Sequence, residues 1–315
     1  MPRTATNTPA DQLFETIDCP LCGADGWDLV RASTYPPSIT ADDIRRFYSA
    51  SSAHVLNDQV VRCTSCALVY VNPRPASDLT IASYADAVDP TFVAQNEDRI
   101  TTFRKTLQGV LRKLGQKSGE GRRVLDIGCA GGAFPFAARQ LGFNPVGVEP
   151  SRWMADYARR TYGLDIRDGI LDRGMFPNGS FDMVTLWDVI EHVPQPHEVL
   201  TLAFDLLKPG GVLLVNFPDV GSVAARLLGR RWPFWLSVHL FYYTRKTIAQ
   251  QLKRAGFSVL WQESCWPSLP FGYVMQRATP YFPPAGWCIP VLKAIHLDKI
   301  PAKYNMGQTL AVARK

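Results

Sequence analysis

The segment at residues 124–132, which reads VLDIGCAGG, constrains the fold of this chain more than any other. A short apolar run reaches the carboxylate Asp126 and then a glycine-rich turn, and residues 133–141 continue as a helical pattern. The segment therefore predicts a strand, a tight turn and a helix N-terminus. Gly128 and Gly132 let the backbone approach a ligand that a Cβ atom would exclude, and the helix start offers unpaired N–H groups.

A second apolar strand, predicted at residues 145–148, ends in Glu149. This acidic residue follows the glycine turn by roughly 20 positions, where a carboxylate can accept hydrogen bonds from ribose hydroxyls. The glycine turn alone would also fit an enzyme that binds a dinucleotide. Its spacing is Asp-x-Gly-x-Ala-x-Gly, however, whereas dinucleotide folds carry Gly-x-Gly-x-x-Gly.

Three further blocks follow in order, namely FDMV at residues 181–184, DVIEHV at 188–193 and LLKPGG at 206–211. Together with the glycine turn they resemble the class I S-adenosylmethionine-dependent methyltransferases, from about residue 121 to the C-terminus. The chain departs from that family at Ala130, where a glycine is usual. The resemblance implies a methyltransferase whose methyl donor is S-adenosylmethionine.

The donor-binding residues are expected at the glycine turn and after the neighbouring strands. The set is Asp126, Gly128, Gly132 and Glu149, with Gly169 and Ile170 beside the adenine, as the family implies, and Trp187 and Asp188 flanking the methionine part. An alternative for Asp126 is that its carboxylate only caps the adjacent turn.

The hydrophobic pattern from residue 121 onward alternates between short strands and helices. Strands are predicted at 124–127, 145–148, 166–167, 181–186, 212–216, 257–263 and 308–313, and helices at 133–141, 151–161, 196–207 and 245–255. Ser151 and Thr244 are predicted N-caps. In the family the last two strands form an antiparallel pair at the sheet edge. The expected fold class is therefore α/β, a seven-stranded Rossmann-like methyltransferase sheet with a small N-terminal zinc-knuckle module.

Two Cys-x-x-Cys pairs precede this domain, Cys19 with Cys22 and Cys63 with Cys66. Each pair can place two thiolates on one side of a tight turn, and four thiolates make the closed tetrahedral site that structural zinc favours. Gly23 permits the left-handed conformation that such turns use. We expect a structural zinc ion, because four protein ligands leave no position open for a substrate. The alternative is four reduced thiols without a metal.

The chain is expected to divide into a cysteine-rich zinc-binding module at residues 1–75, a helical connector at 76–120 and the methyltransferase domain at 121–315. The cysteine pattern and the phrase VNPRP at 71–75 resemble a subset of bacterial methyltransferases with a cysteine-rich N-terminal module. Many of these act in pathways for surface polysaccharides or other glycosylated products. Related enzymes often bring an aromatic residue of the connector over the methyl donor; Tyr84 is the candidate, and simple packing is its alternative.

Asp188, Glu191, His192 and His239 are the expected catalytic residues. The first three have the i, i+3, i+4 spacing that places side chains on one helical face. Three interpretations stay open: His192 or His239 is a general base, the group binds Mg²⁺ or a similar ion that acidifies a substrate hydroxyl, or the turn is structural. Some methyltransferases of this class bind a metal through Glu-x-x-Glu-His and a distant His, and Asp188 replaces the first Glu here.

Two aromatic-rich segments interrupt the predicted domain. The insertion at 220–243, with Trp232, Trp235 and Tyr242 among its aromatic residues, is expected either to line an acceptor pocket or to form a lid that excludes water. The segment at 264–305 is rich in proline and aromatic residues, and peripheral contact with a membrane surface or a lipid carrier is one role for it.

The bulk composition bounds the compartment and the partners. Hydrophobic residues make up 46% of the chain, and its net charge of +6 is spread without a basic stripe, so nucleic acid is not an expected partner. No hydrophobic signal core and no run of ~20 apolar residues is present. A cytoplasmic location is therefore expected.

The expected reaction transfers a methyl group from S-adenosylmethionine to a small molecule, by preference to a hydroxyl of a sugar or glycoconjugate. The product would belong to polysaccharide or secondary-metabolite biosynthesis. Alternatives are C- or N-methylation of a natural product or a lipid-linked acceptor, and, from a different class, an NAD-dependent nucleotide-sugar enzyme. A third alternative is a module that binds the donor and does no chemistry.

Overall fold

The central strands carry almost only apolar side chains, because helices cover both faces of their sheet. The computed structural model describes residues 13–48, 56–85, 88–279 and 284–315. The elements in chain order are β1 (Phe14–Glu15), β2 (Trp27–Arg31), α1 (Ala41–Phe47), β3 (Val60–Cys63), β4 (Val69–Val71), β5 (Arg74–Pro75), α2 (Ser77–Ala85), α3 (Pro90–Val93), α4 (Asn96–Lys113), β6 (Arg123–Ile127), α5 (Ala133–Gln140), β7 (Asn144–Glu149), α6 (Arg152–Tyr162), β8 (Asp165–Asp168), β9 (Phe181–Trp187), α7 (Pro196–Leu206), β10 (Leu207–Pro218), α8 (Val223–Leu228), β11 (Phe241–Tyr242), α9 (Arg245–Arg254), β12 (Ser258–Ser264), β13 (Ser268–Pro270), α10 (Phe271–Ala278), α11 (Pro284–Ala294), β14 (Pro301–Lys303) and β15 (Gln308–Arg314).

The large sheet has the strand order β12-β15-β10-β9-β6-β7-β8. Strands β6 to β10 pair in parallel, and β15 runs antiparallel to both β10 and β12. The predicted α/β fold with seven strands and an antiparallel closing pair is confirmed. Parallel strands bring their carboxyl ends to one edge, which is where ligands bind in sheets of this kind.

The helix starts of the domain follow the predicted capping chemistry. The Ser151 hydroxyl accepts a hydrogen bond from the Met154 N–H (3.1 Å) and begins α6. Thr244 begins α9 in a capping box with Thr247. Both side chains satisfy N–H groups that the first helical turn would leave unpaired, so both predicted N-caps are confirmed.

A smaller sheet has the order β11-β4-β3-β2. Cys63 and Cys66 lie at its β3–β4 turn, and Cys19 and Cys22 lie just before β2. Its strand β11 comes from the insertion at residues 220–243 and pairs antiparallel with β4. The domain boundary that we predict at residue 75 therefore leaves out one strand of this sheet, and it stays a prediction. Within the insertion, Trp232, Tyr242 and Tyr243 are fully buried, whereas Phe234 and Trp235 are partly buried. The acceptor pocket and the lid both stay predictions for this segment.

The connector predicted at residues 76–120 contains the three helices α2, α3 and α4, and α4 packs Leu107, Val110 and Leu111 against α5. Two local predictions differ from the structure. Residues 188–193 form turns, not a helix. Strand β10 begins at Leu207, directly after α7, and its register shifts before Val212, so it starts five residues before the strand predicted at 212–216. The segment at 264–305 holds β13, α10, α11 and β14, and residues 280–283 lie outside the described part of the chain.

Candidate active site

The predicted donor residues on β6 and β7 lie side by side at the carboxyl edge of the sheet. Asp126 is buried, and its carboxylate accepts a hydrogen bond from the Thr185 hydroxyl of β9 (2.6 Å). Burial raises the pKa of Asp126 well above its ordinary value. The carboxylate therefore links two neighbouring strands just before the glycine turn, and its contact with the donor stays a prediction.

Glu149 connects the glycine turn to the start of α6. Its carboxylate accepts hydrogen bonds from the Ala130 N–H (2.7 Å) and the Ser151 N–H (2.9 Å). Burial raises the pKa of Glu149 to about 7, although these two N–H groups act in the opposite direction. An acidic group that is held by backbone donors on both sides keeps one orientation, as a ribose-binding carboxylate requires.

The glycine turn uses left-handed backbone at three alternate positions. Gly128 has φ +69° and Gly132 has φ +80°, and a Cβ atom at Gly132 would lie only 2.7 Å from the Cβ of Ala158. Ala130, the departure from the family pattern, has φ +45° and pays a steric cost for its methyl group there. The same conformation directs its N–H to Glu149, so the substitution keeps the geometry of the turn.

The remaining predicted donor residues surround this turn. The Gly169 N–H donates to the Glu149 carbonyl (2.9 Å), so the turn after β8 lies beside the end of β7, with Ile170 exposed. Trp187 ends β9 with its ring packed against Phe103 and Phe134. These positions lie at the correct edge of the sheet, and their roles in donor binding stay predictions.

Glu191, His192 and His239 form a second cluster near this edge. One ligand atom from each of the three residues lies within 4.8 Å of the others, and the two imidazole rings are 4.7 Å apart. Glu191 and His239 are buried, whereas His192 keeps part of its surface open. Within the described residues, neither carboxylate oxygen of Glu191 has a hydrogen-bond partner. A buried, unpartnered carboxylate is costly unless a cation or a proton neutralises it.

The tautomers of both histidines follow from their carbonyl partners, because a carbonyl oxygen can only accept. Nδ1 of His192 donates to the Val238 carbonyl (2.8 Å), and Nδ1 of His239 donates to the Phe234 carbonyl (2.8 Å). The Tyr84 hydroxyl also lies 2.9 Å from Nδ1 of His192. Each neutral ring therefore keeps its lone pair on Nε2. This is the arrangement of metal-binding histidines, whose other nitrogen is held by a second group.

Burial favours the uncharged form of each residue in the cluster. It lowers the pKa of His192 to about 4 and the pKa of His239 well below its ordinary value, and the neighbouring His192 lowers the pKa of His239 further. It raises the pKa of Glu191 well above its ordinary value, and the Asp188 carboxylate raises it further. Neutral imidazoles suit a metal ion, and a cation would restore the ionised form of Glu191.

Asp188 does not join this cluster, contrary to the helical face that we predict. It has a left-handed backbone with φ +54°, and its carboxylate accepts hydrogen bonds from Asn216 (2.7 Å) and Gln308 (3.0 and 3.1 Å). These two amides come from the ends of β10 and β15. The turn geometry separates Asp188 from Glu191 and His192, because i, i+3 and i+4 positions share a face only in a helix.

The four cysteines form the third cluster. All four sulfur atoms lie within 4.8 Å of one another, with 3.5 Å between Cys19 and Cys66 and 3.6 Å between Cys22 and Cys63. Sulfur atoms bound to one tetrahedral zinc ion would lie about 3.8 Å apart, given a Zn–S distance of ~2.3 Å. Gly23 and Ala67, each directly after a pair, have φ +77° and +64°. The predicted left-handed turn at Gly23 is confirmed, and the donor set fits zinc.

Comparison with known proteins identifies the family. The family model described as "Methyltransferase domain" matches residues 98–262, which is just over half of the chain. The chain belongs to this family. It is a class I S-adenosylmethionine-dependent methyltransferase domain preceded by a four-cysteine cluster. Between the two enzyme classes that the glycine turn allows, the match favours methyl transfer over an NAD-dependent reaction.

Similar proteins include two curated methyltransferases and one solved structure. A ubiquinone biosynthesis O-methyltransferase of Xanthomonas campestris is 34% identical over 102 residues, which cover 30% of this chain and 43% of that protein. Another, of Maricaulis maris, is 29% identical over 177 residues, covering 52% and 70%. The chain thus spans less than half the length of the first relative. An S-adenosylmethionine-dependent methyltransferase of Mesorhizobium loti is 20% identical, with a TM-score of 0.44 over 66% of this chain and 96% of that one.

Several contacts of this methyltransferase domain escape sequence reasoning. Asn216 and Gln308, which hold Asp188, are polar residues at the ends of otherwise apolar strands, and that contrast is a usable signal. The Tyr84 hydroxyl contacts Nδ1 of His192, and its place over the methyl donor stays a prediction. Nothing in the spacing indicates that contact, because the two residues are 108 positions apart. Among the described residues, no helix combines the length and the apolar character that crossing a bilayer requires.

Proposed function

We propose that this methyltransferase transfers the methyl group of S-adenosylmethionine to a hydroxyl of a small molecule, a sugar or glycoconjugate. Glu191, His192 and His239 would hold a divalent cation, which would acidify the acceptor hydroxyl. The observation that carries the proposal is the buried Glu191 carboxylate, whose oxygens lack hydrogen-bond partners within the described residues and face two imidazoles.

Glu191, His192 and His239 are better suited to binding a cation than a histidine among them is to acting as a general base. A histidine whose pKa is lowered to about 4 is a weak base near neutral pH. Two imidazoles and one carboxylate, in contrast, are a common ligand set for divalent ions such as Fe²⁺, Zn²⁺ and Mn²⁺, and Mg²⁺ is the candidate that the family resemblance suggests. Three protein ligands would leave coordination positions open for an acceptor, which would approach from the partly exposed side of His192.

A divalent ion bound there would lower the pKa of a hydroxyl that it coordinates and would orient the oxygen. The chain's own residues supply the remaining requirements. The Val238 and Phe234 carbonyls fix the ring orientations of His192 and His239, and buried Glu191 supplies the negative charge. Glu149 and the glycine turn hold the donor, so that the enzyme aligns the acceptor oxygen with the S–CH₃ bond, which alone can contribute ~7–11 kcal/mol.

Methylation on oxygen is favoured over carbon or nitrogen by two considerations. The curated relatives named above are O-methyltransferases, and acidification by a cation assists a hydroxyl more than an amine. The sugar part of the proposal rests on the resemblance of the cysteine module and the VNPRP phrase to enzymes of glycosylated products. We further propose that the four cysteines hold a structural zinc ion and that the reaction takes place in the cytoplasm.

The experiment uses methyl-labelled S-adenosylmethionine and an extract of the producing cell, with and without a chelator. Label in a water-soluble carbohydrate fraction, lost on chelation and regained with Mg²⁺ or Mn²⁺, is the expected result. Glu191→Gln should lose the label, whereas Glu198→Gln, the same change on an exposed helix position, should keep it. Label in protein or in an amine would contradict the acceptor class, and transfer that resists chelation would contradict the cation.

A further inference from the structure

The segment between β12 and β15 is an excursion from the carboxyl edge of the sheet. The chain leaves the sheet at Ser264, which pairs with Thr309, and returns at Gln308, which pairs with Pro218 and contacts Asp188. Between these points, β13 pairs with β14 and α10 packs on α11. The edge that carries the candidate active site therefore also carries a separate substructure of two short strands and two helices.

Helix α11 presents an apolar face to solvent. Trp287 is 78% exposed and Val291 60%, and Ile295, directly after the helix, is 54% exposed. The Ile295 N–H donates to the Val291 carbonyl, so the last turn continues and the i, i+4, i+8 spacing aligns the three side chains. The positions between them on that side are also apolar and exposed, namely Cys288, Pro290 and Ala294. Leu297 and Ile300 extend the exposed surface beyond the helix. We call Trp287, Val291, Ile295, Leu297 and Ile300 the α11 face.

The α11 face is not the packing face of the helix. Ala285 is buried on the other side, and a Cβ atom at Gly286 would lie 2.9 Å from the Thr279 side chain at the end of α10. The small residues let α11 approach α10 closely with that side. The opposite, apolar side of α11 is exposed to solvent, and contiguous exposed apolar surface of this kind marks an interaction site.

The charges around the α11 face identify its partner. Lys293, Lys299 and Lys303 are all exposed, and Asp298 is the single acidic residue between positions 284 and 303. A second copy of the chain docked face to face would bring two sets of lysines together, which opposes a symmetric dimer. An anionic lipid surface instead attracts lysines and takes up Trp, Val and Ile side chains at the headgroup level.

We propose that the α11 face docks the protein peripherally on an anionic membrane surface. This inference does not rest on the proposed acceptor or on the cation. Docking would hold the carboxyl edge of the sheet next to the lipid headgroups, because the segment is anchored at that edge by Gln308 and Ser264.

The test is co-sedimentation of the full chain with phosphatidylcholine vesicles, with and without phosphatidylglycerol. We expect binding to the anionic vesicles that weakens with added salt. Lys293→Ala/Lys299→Ala/Lys303→Ala should weaken the binding by about 10²-fold. Trp287→Ala/Val291→Ala should weaken it by at least ~10-fold, since each buried apolar side chain contributes to interfacial binding.

The controls remove the same groups from other surfaces. Lys105→Ala/Lys117→Ala/Lys253→Ala takes away equal charge at exposed positions, and Leu29→Ala/Val88→Ala truncates exposed apolar residues. Both control variants should bind as the wild type does. Equal losses in the control variants, or no binding to anionic vesicles, would overturn the proposal. Self-association that Trp287→Ala abolishes, without vesicle binding, would assign the face to a second copy and would also overturn it.

Discussion

The two candidate metal clusters of this protein differ in how the chain assembles them. The four cysteines come as two Cys-x-x-Cys pairs, and each pair folds as a local turn whose next residue, Gly23 or Ala67, is left-handed. The second cluster joins adjacent Glu191 and His192 to His239, which arrives from a separate loop. Four cysteine ligands would fill the tetrahedral coordination shell of a zinc ion. Three ligands, one of them the partly exposed His192, would leave a coordination position open. The first arrangement suits stability and the second suits chemistry.

The two clusters are connected through one short loop. The Val71 N–H of β4 donates to the Leu240 carbonyl (2.9 Å), and the Leu240 N–H donates to the Glu191 carbonyl (2.8 Å). Arg74 reaches across with Nη1 to the Pro194 carbonyl (2.8 Å), just after His192. The cysteine module is therefore positioned to hold both segments that supply the second cluster.

The largest expected effect comes from breaking the closed cluster. Cys63→Ser removes one buried sulfur from the proposed zinc site, and structural zinc sites contribute directly to folding. We expect loss of the zinc ion and a fall of more than ~4 kcal/mol in the free energy of unfolding. Metal analysis and denaturant unfolding measure both. Cys288→Ser, at an exposed cysteine outside the cluster, should change neither. Zinc that stays bound in Cys63→Ser would remove the structural role from the four cysteines.

Breaking the open cluster should affect turnover and leave the fold intact. His239→Ala should lower kcat by at least ~100-fold, because even a group that only orients a metal ligand costs 10–100-fold when it is removed. Affinity for S-adenosylhomocysteine, measured by calorimetry, should stay unchanged. His296→Ala, at an exposed histidine, is the matched control. A low rate in His239→Ala combined with a wild-type rate that resists chelation would assign His239 as a base instead of a ligand.

The contrast between a cluster built from local turns and one built from distant segments explains what the sequence can predict. The cysteine cluster, the capping residues Ser151 and Thr244 and the parallel sheet depend on contacts within a few residues or on a periodic pattern, so their sequence signals are local. The open cluster depends on where a loop 46 residues further along places the Val238 carbonyl and the following His239. The helical spacing of Asp188, Glu191 and His192 is misleading, because the left-handed backbone at Asp188 begins a turn. Strand β11 is equally hidden, since its partner β4 lies far away in the chain.

The variant with the smallest expected effect tests whether the loop before His239 couples the cysteine module to the open cluster. The buried Ser237 hydroxyl accepts from the Asn57 N–H (3.0 Å) and hydrogen-bonds Asp58, whose carboxylate also accepts from Tyr35 (2.8 Å) and Tyr48 (2.9 Å). Ser237→Ala removes these ties two residues before His239, so the affinity of the open cluster for Mn²⁺ should fall by about 10-fold.

The zinc content of Ser237→Ala should stay at the wild-type level, because the four cysteines do not contact this loop hydroxyl. Titration with Mn²⁺ measures the open cluster, and Ser118→Ala, at an exposed serine, is the control. The variant should also lose ~1–3 kcal/mol of stability from the unsatisfied buried groups. The Mn²⁺ affinity is therefore the measurement that tests the coupling. If stability falls while Mn²⁺ affinity stays the same, the Ser237 contacts only stabilise the fold, and the cysteine module contributes nothing to the position of His239. If both fall together, the module that looks purely structural is part of the catalytic site.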